Sequence, residues 1–186
     1  MNKRTMKKGL AIVLALVMVF AMTATAFATA DDSMTVTVEC YNLSDYGTPV
    51  SEYHQVTIDP NNFTRVYNIP SNVSSDVITS ANTPTVMDAV AQALGLTNAD
   101  IPWDMPENST VYIGGYLPTL CGLSTVTAAD STSTTWRGYA WMYSLDFYTA
   151  ETPSYINLYA TNVALEDGMK IVWTYDYRTQ NIPGTH

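Results

Sequence analysis

Trp136–Tyr177 reads WRGYAWMYSLDFYTAETPSYINLYATNVALEDGMKIVWTYDY, and the patterning of this stretch decides the fold. Large residues recur at every second position in Gly138–Asp146 (Tyr139, Trp141, Tyr143, Leu145) and again in Met169–Tyr177 (Ile171, Trp173, Tyr175, Tyr177). A period of two belongs to strands with one face buried. Tyr155–Leu165 is predicted as a further strand, with Asp167-Gly168 as the tight turn that joins it to the last one. Rows of Tyr and Trp fill a half-buried sheet while their polar tips stay near water. Core packing is therefore the first reading of these rows, and an exposed stacking platform is the alternative.

Working outward, Met34–Tyr41 alternates in the same way, with Met34, Val36, Val38 and Cys40 on one face. A turn around Gly47 and Pro49 leads to extended Val50–Ile58, so a hairpin is expected. Short edge strands are expected over Phe63–Ile69 and Val73–Ile78, and another strand over Val111–Tyr116. Leu117–Val126 is read as a second arm around Cys121.

One helix is predicted, Thr85–Leu94 (TVMDAVAQAL). Val86, Ala89, Val90, Ala93 and Leu94 form one apolar stripe. Thr83 or Thr85 supplies the cap, Asp88 suits the positive end, and Gly95 is the expected stop. Strands, a single helix, then more strands make an α+β domain.

The chain begins with Lys3, Arg4, Lys7 and Lys8, then the apolar run Leu10–Met22, then Ala26-Phe27-Ala28. This is the pattern of a cleaved secretory signal over residues 1–30. A single domain is expected over 31–180, with a short tail over 181–186. Removing the signal leaves Arg65, Arg137, Lys170 and Arg178 against 17 acidic residues, a net charge of −13. Such a chain repels phosphate backbones, which argues against nucleic acid as a partner. No membrane insertion is expected after signal cleavage, and secretion with at most loose cell-surface attachment follows. In an oxidising compartment Cys40 and Cys121 most simply form one disulfide, with two unpaired thiols as the alternative.

Chemistry-bearing constellations are sparse. His54 and His186 lie far apart in the sequence, and Cys121 has no His in a matching context, so no catalytic group is nominated. The acidic loop holding Asp100, Asp104 and Glu107 around Trp103 lacks the alternating carboxylates of a calcium loop and reads as solvated. No metal ligand set is nominated.

Four ordered segments carry a family resemblance: Thr85–Val90, Gly115–Leu117 with Cys121–Leu123, Gly138–Leu145, and Leu165–Tyr175. Together they resemble the transcobalamin-like C-terminal domain, a β-grasp module of secreted Gram-positive proteins, over roughly Thr35 to Asp176. The resemblance implies a β-grasp-like mixed sheet with one helix packed across it. The family's Asn-Gly turn after its Trp-x-Tyr strand is replaced here by Asp146-Phe147 and an aromatic stretch to Ile156, which marks a remodelled loop.

In the animal vitamin B12 carriers the similar domain covers one side of the corrinoid, and a separate helical barrel covers the other. Fold therefore follows from the resemblance more directly than ligand does. The expected function is a non-enzymatic binding or cell-surface interaction module. Its expected contacts are Trp141, Tyr143, Phe147, Tyr148 and Tyr155, toward an extracellular protein, glycan or small ligand. The alternative is cobalamin binding.

Overall fold

The structure, a computed structural model, describes residues 32–45, 48–50, 53–133, 135–145, 155–156 and 158–181. The signal reading over 1–30, residues 146–154 and most of the tail lie outside the described residues. Ser33–His186 forms one compact unit, an α+β arrangement of mostly strands with one helix and a curled mixed sheet.

The alternating first stretch forms strand β1, Met34–Asn42, with Val36, Val38 and Cys40 buried. Its outer edge pairs antiparallel with β2 (Thr48–Pro49) and then β3 (His54–Ile58), setting Val36 opposite Val56. The expected hairpin is thus present. On its other edge β1 runs parallel to the closing strand β10, Lys170–Asn181, with Val38 opposite Ile171 and Cys40 opposite Trp173. A long antiparallel strand, Thr135–Leu145, then pairs with β10 along its length. Parallel pairing of the first and last strands requires a long crossover, and the helix is part of it.

That helix, α1, spans Val86–Leu94 and begins at the predicted cap. Thr85 and Asp88 form a capping box, in which each side chain serves the other's backbone N–H. Gly95 ends the helix at φ 63°, a left-handed conformation that glycine adopts without penalty. Val86, Met87, Ala89 and Val90 are fully buried, and the helix packs against β1 and β3. Fully burying one such large side chain contributes roughly 1.5–3 kcal/mol.

Asp88 does more than cap. Its carboxylate accepts from Arg65 Nε at 3.0 Å and Nη2 at 3.0 Å, and Arg65 Nη2 also donates to the Thr83 carbonyl. Burial works against the Arg65 charge, but Asp88 and Tyr67 together outweigh it and raise its pKa. Tyr67 joins through its hydroxyl at 3.1 Å from Thr85 Oγ1. Residues 59–83 form no regular element, so this cluster ties them to the helix start.

Several expectations are corrected. Tyr155–Leu165 is not a strand; among its described residues Ala160–Asn162 forms a 3-10 turn. Along Ile171–Tyr175 both edges of β10 are already occupied, by β1 and by Thr135–Leu145, which leaves no ladder there for a third strand to join. The segment instead braces the helix start: Val86 N donates to Val163 O at 3.0 Å, and Leu165 N to Pro84 O at 2.8 Å. Asp167-Gly168 is accordingly not a two-residue hairpin turn. It turns the chain into β10 and clips onto β1, where Thr35 N donates to Asp167 Oδ1 at 2.8 Å.

Phe63–Ile69 and Val73–Ile78 also form no strands. One bridge, Val73 to Tyr112, is all the ladder they share. Val111–Tyr116 shortens to β5, Gly114–Gly115, which pairs with β4, Trp103–Asp104.

The cysteines are not joined to each other. Cys40 is buried on the core face of β1, opposite Trp173. Cys121 is exposed at a left-handed turn (φ 47°) between β6, Thr119–Leu120, and β7, Leu123–Ser124.

Candidate functional site

The Thr135–Leu145 strand is preceded by β8, Val126–Thr127, and is labelled β9. Antiparallel register sets Tyr143 opposite Trp173, Trp141 opposite Tyr175, and Tyr139 opposite Tyr177. Cross-strand neighbours share a face. The two aromatic rows are therefore one surface, on the side of the sheet that carries the core.

Ring geometry follows the register. Tyr143 stacks on Trp173 with centroids 5.0 Å apart, and Trp141 tilts against Tyr175 at 5.4 Å. Tyr139 stacks on Tyr175 at 5.6 Å and meets Tyr177 edge-on at 5.2 Å. Each such pair contributes about 0.5–1.5 kcal/mol beyond its area. The β6–β7 hairpin bonds to this row: Trp141 Nε1 donates to Leu123 O at 2.8 Å, and Tyr175 OH to Ser124 O at 2.6 Å. Burial raises the pKa of Tyr143 and Tyr175.

Two nominated contacts are thereby placed in the core. Trp141 is 6% and Tyr143 5% exposed, and both polar tips are bonded to backbone carbonyls, the Tyr143 hydroxyl to Leu158 O. Their rings pack and are not offered to a ligand, so the core reading of this part of the row prevails. Phe147 and Tyr148 lie outside the described residues.

Exposure begins where the hairpin ends. Val126 pairs with Tyr139, and Tyr139 with Tyr177, so one apolar row crosses three adjacent strands. Val126 is 52% and Tyr177 43% exposed, with Tyr139 half-buried between them. A surface-exposed apolar row continuous with the core is a candidate contact face. Its members were legible only as parts of alternating rows; no local signal separates the buried end from the exposed one.

Tyr155, the fifth nominated contact, sits on the opposite face of the sheet. Its ring lies under the Arg178 guanidinium, 3.7 Å from carbon to centroid. Thr174 Oγ1 donates to its hydroxyl at 3.0 Å, and that hydroxyl reaches Asp176 Oδ2 at 3.5 Å. Burial raises its pKa, against the Thr174 bond and the Arg178 charge, which lower it. Ile156 N donates to Tyr143 O at 2.9 Å, which fixes this short stretch to the β9 edge. The structure thus separates Tyr155 from Trp141 and Tyr143 by the thickness of the sheet.

The acidic loop also separates into individual roles. Asp100 Oδ2 accepts from Thr97 N and Oγ1, both at 2.7 Å, and these bonds hold its carboxyl below the usual range. Asp104 accepts the Tyr159 hydroxyl, and Glu107 is exposed. Among the described residues no three His, Cys, Asp or Glu side chains converge as a metal site would need, and no helix is long and apolar enough to cross a membrane.

No protein-family model matches the chain, and neither the curated proteins nor the solved structures contain a match to it.

Proposed function

We propose that the chain is exported and that its folded part is a non-enzymatic binding module of β-grasp type, acting outside the cell or loosely attached to its surface. The β-grasp reading is supported by the strand order. Two hairpin-like pairs, β1 with β3 and β9 with β10, are joined through α1, and the first and last strands lie parallel at the centre.

One observation carries the binding reading: the aromatic row continues past its cover, leaving Val126, Tyr139 and Tyr177 side by side at the surface. Exposing such a row costs solubility, and a contact to a partner offsets that cost. The partner is an extracellular protein, glycan or small ligand. Labelled protein should bind isolated cell-envelope material, and the double variant Val126→Ser/Tyr177→Ser should lose that binding with its melting temperature within a few degrees of wild type. Equal binding by both proteins, or binding by neither, refutes the reading.

Corrinoid binding is the second reading, and it rests on the family resemblance alone. Protein mixed with cobalamin and passed through a desalting column would elute red. A colourless protein fraction eliminates it.

A further inference from the structure

The acidic loop contains a built arrangement that the proposed binding face does not use. The β4–β5 ribbon sets Asp104 opposite Gly114, and Tyr116 N donates to Pro102 O at 3.1 Å. The pleat therefore brings Asp104, Gly114 and Tyr116 to one face, while Trp103 and Gly115 turn inward toward Tyr67, Ile101 and Thr161. Gly114 lacks a side chain for a steric reason: a Cβ there would run into the Tyr159 ring, which lies over it. From that position Tyr159 donates its hydroxyl to Asp104 Oδ2. Burial first, then this carboxylate and the neighbouring Tyr116, push the Tyr159 pKa up.

Asp104 is thus held through one oxygen by Tyr159, with Tyr116 on the same face of the ribbon, and its Oδ1 accepts no hydrogen bond among the described residues. Tyr116 is 42% exposed, and Met105, which follows Asp104 in the chain, is exposed as well. No lysine or arginine among the described residues is left over to neutralise the site. Arg65 pairs with Asp88, Arg137 with Asp130, Lys170 with Glu39, and Arg178 with Asp176. These are all the lysines and arginines beyond residue 30.

We propose that Asp104, Tyr116 and Tyr159 form a binding site for an organic cation, an alkylammonium or guanidinium group. The carboxylate supplies the charge, and the tyrosine rings supply faces against which the cation can lie. Such a group is carried by the lysine or arginine side chain of a peptide, or by a free quaternary amine. The complementarity is one of charge, because the surrounding chain is strongly acidic and its own lysines and arginines are engaged.

The test is a nitrogen-15 NMR titration of the whole exported protein with three probes: acetyl-arginine methylamide, acetyl-lysine methylamide and tetramethylammonium. Acetyl-leucine methylamide is the neutral control. At least one cation should shift the Gly114, Gly115 and Tyr116 amide signals saturably, and added salt should weaken it. Response to the amino-acid probes alone identifies a peptide side chain as the source; response to tetramethylammonium alone identifies a free amine.

Asp104→Asn keeps an acceptor for Tyr159 and should abolish the response. Tyr116→Ala, at an exposed position, should weaken it about three-fold, the scale of one exposed cation–π contact. No response to any cation, an equal response to the leucine probe, or an undiminished response in both variants overturns the assignment.

Discussion

Replacing Asp88 with Asn tests the electrostatic join between the helix and the irregular stretch before it. The two side chains are 3% and 11% exposed, and the guanidinium donates two charged hydrogen bonds to the carboxylate. Asn retains the shape and one acceptor oxygen, so the cap on Thr85 largely survives and the charge is what is lost. Breaking one partner of a buried pair costs about 3–5 kcal/mol, because the remaining ion stays desolvated. Against a total of about 5–15 kcal/mol this is a large fraction.

With a urea slope of about 2 kcal/mol/M, the unfolding midpoint should fall by roughly 2 M. Equilibrium urea unfolding followed by far-UV circular dichroism reads the change. Arg65→Met/Asp88→Asn removes both charges and should recover much of the loss, so the two single changes should not add. A cost below about 1 kcal/mol for Asp88→Asn, or additivity in the double variant, would refute the reasoning.

Three further outcomes follow from the packing. Gly114→Ala should destabilise by about 1–3 kcal/mol, the scale of overpacking, because the new methyl meets the Tyr159 ring; calorimetric melting checks it. Tyr67, Tyr143 and Tyr159 have raised pKa values in the fold, with burial as the largest cause. They stay neutral after their unfolded counterparts begin to ionise near about 10, so their stabilising contribution is complete below that pH and is lost as the pH rises beyond it toward the folded values. Tyrosinate absorbance should therefore show a delayed fraction that ionises together with loss of circular dichroism. Under native conditions a thiol reagent should label Cys121 and spare Cys40 until unfolding, and reductant should leave the melting temperature unchanged; mass spectrometry of labelled peptides distinguishes the two.

How far the sequence was legible depends on the range of the interaction that decides each element. Strand β1, helix α1 and its caps were readable because alternation, an apolar stripe and Thr85, Asp88 and Gly95 act within a few residues. The last stretch shows the opposite. Tyr155–Leu165 alternates well enough to suggest a strand, yet β1 and β9 take both edges of β10, and no local pattern reveals that competition. The same applies to the aromatic rows. Trp141 and Tyr177 look equivalent in sequence, and only the β6–β7 hairpin, which bonds to Trp141 and Tyr175, separates core from surface. Arg65 with Asp88, and Asp104 with Tyr159, join residues far apart in the chain, so neither was readable in advance.

Hydrogen exchange on the protein bound to envelope material tests the binding face most directly. Added protection at Val126–Thr127, 137–141 and 175–179, with the α1 amides unchanged, is the predicted footprint. Protection confined to α1 and β3, or no added protection in bound protein, would contradict it.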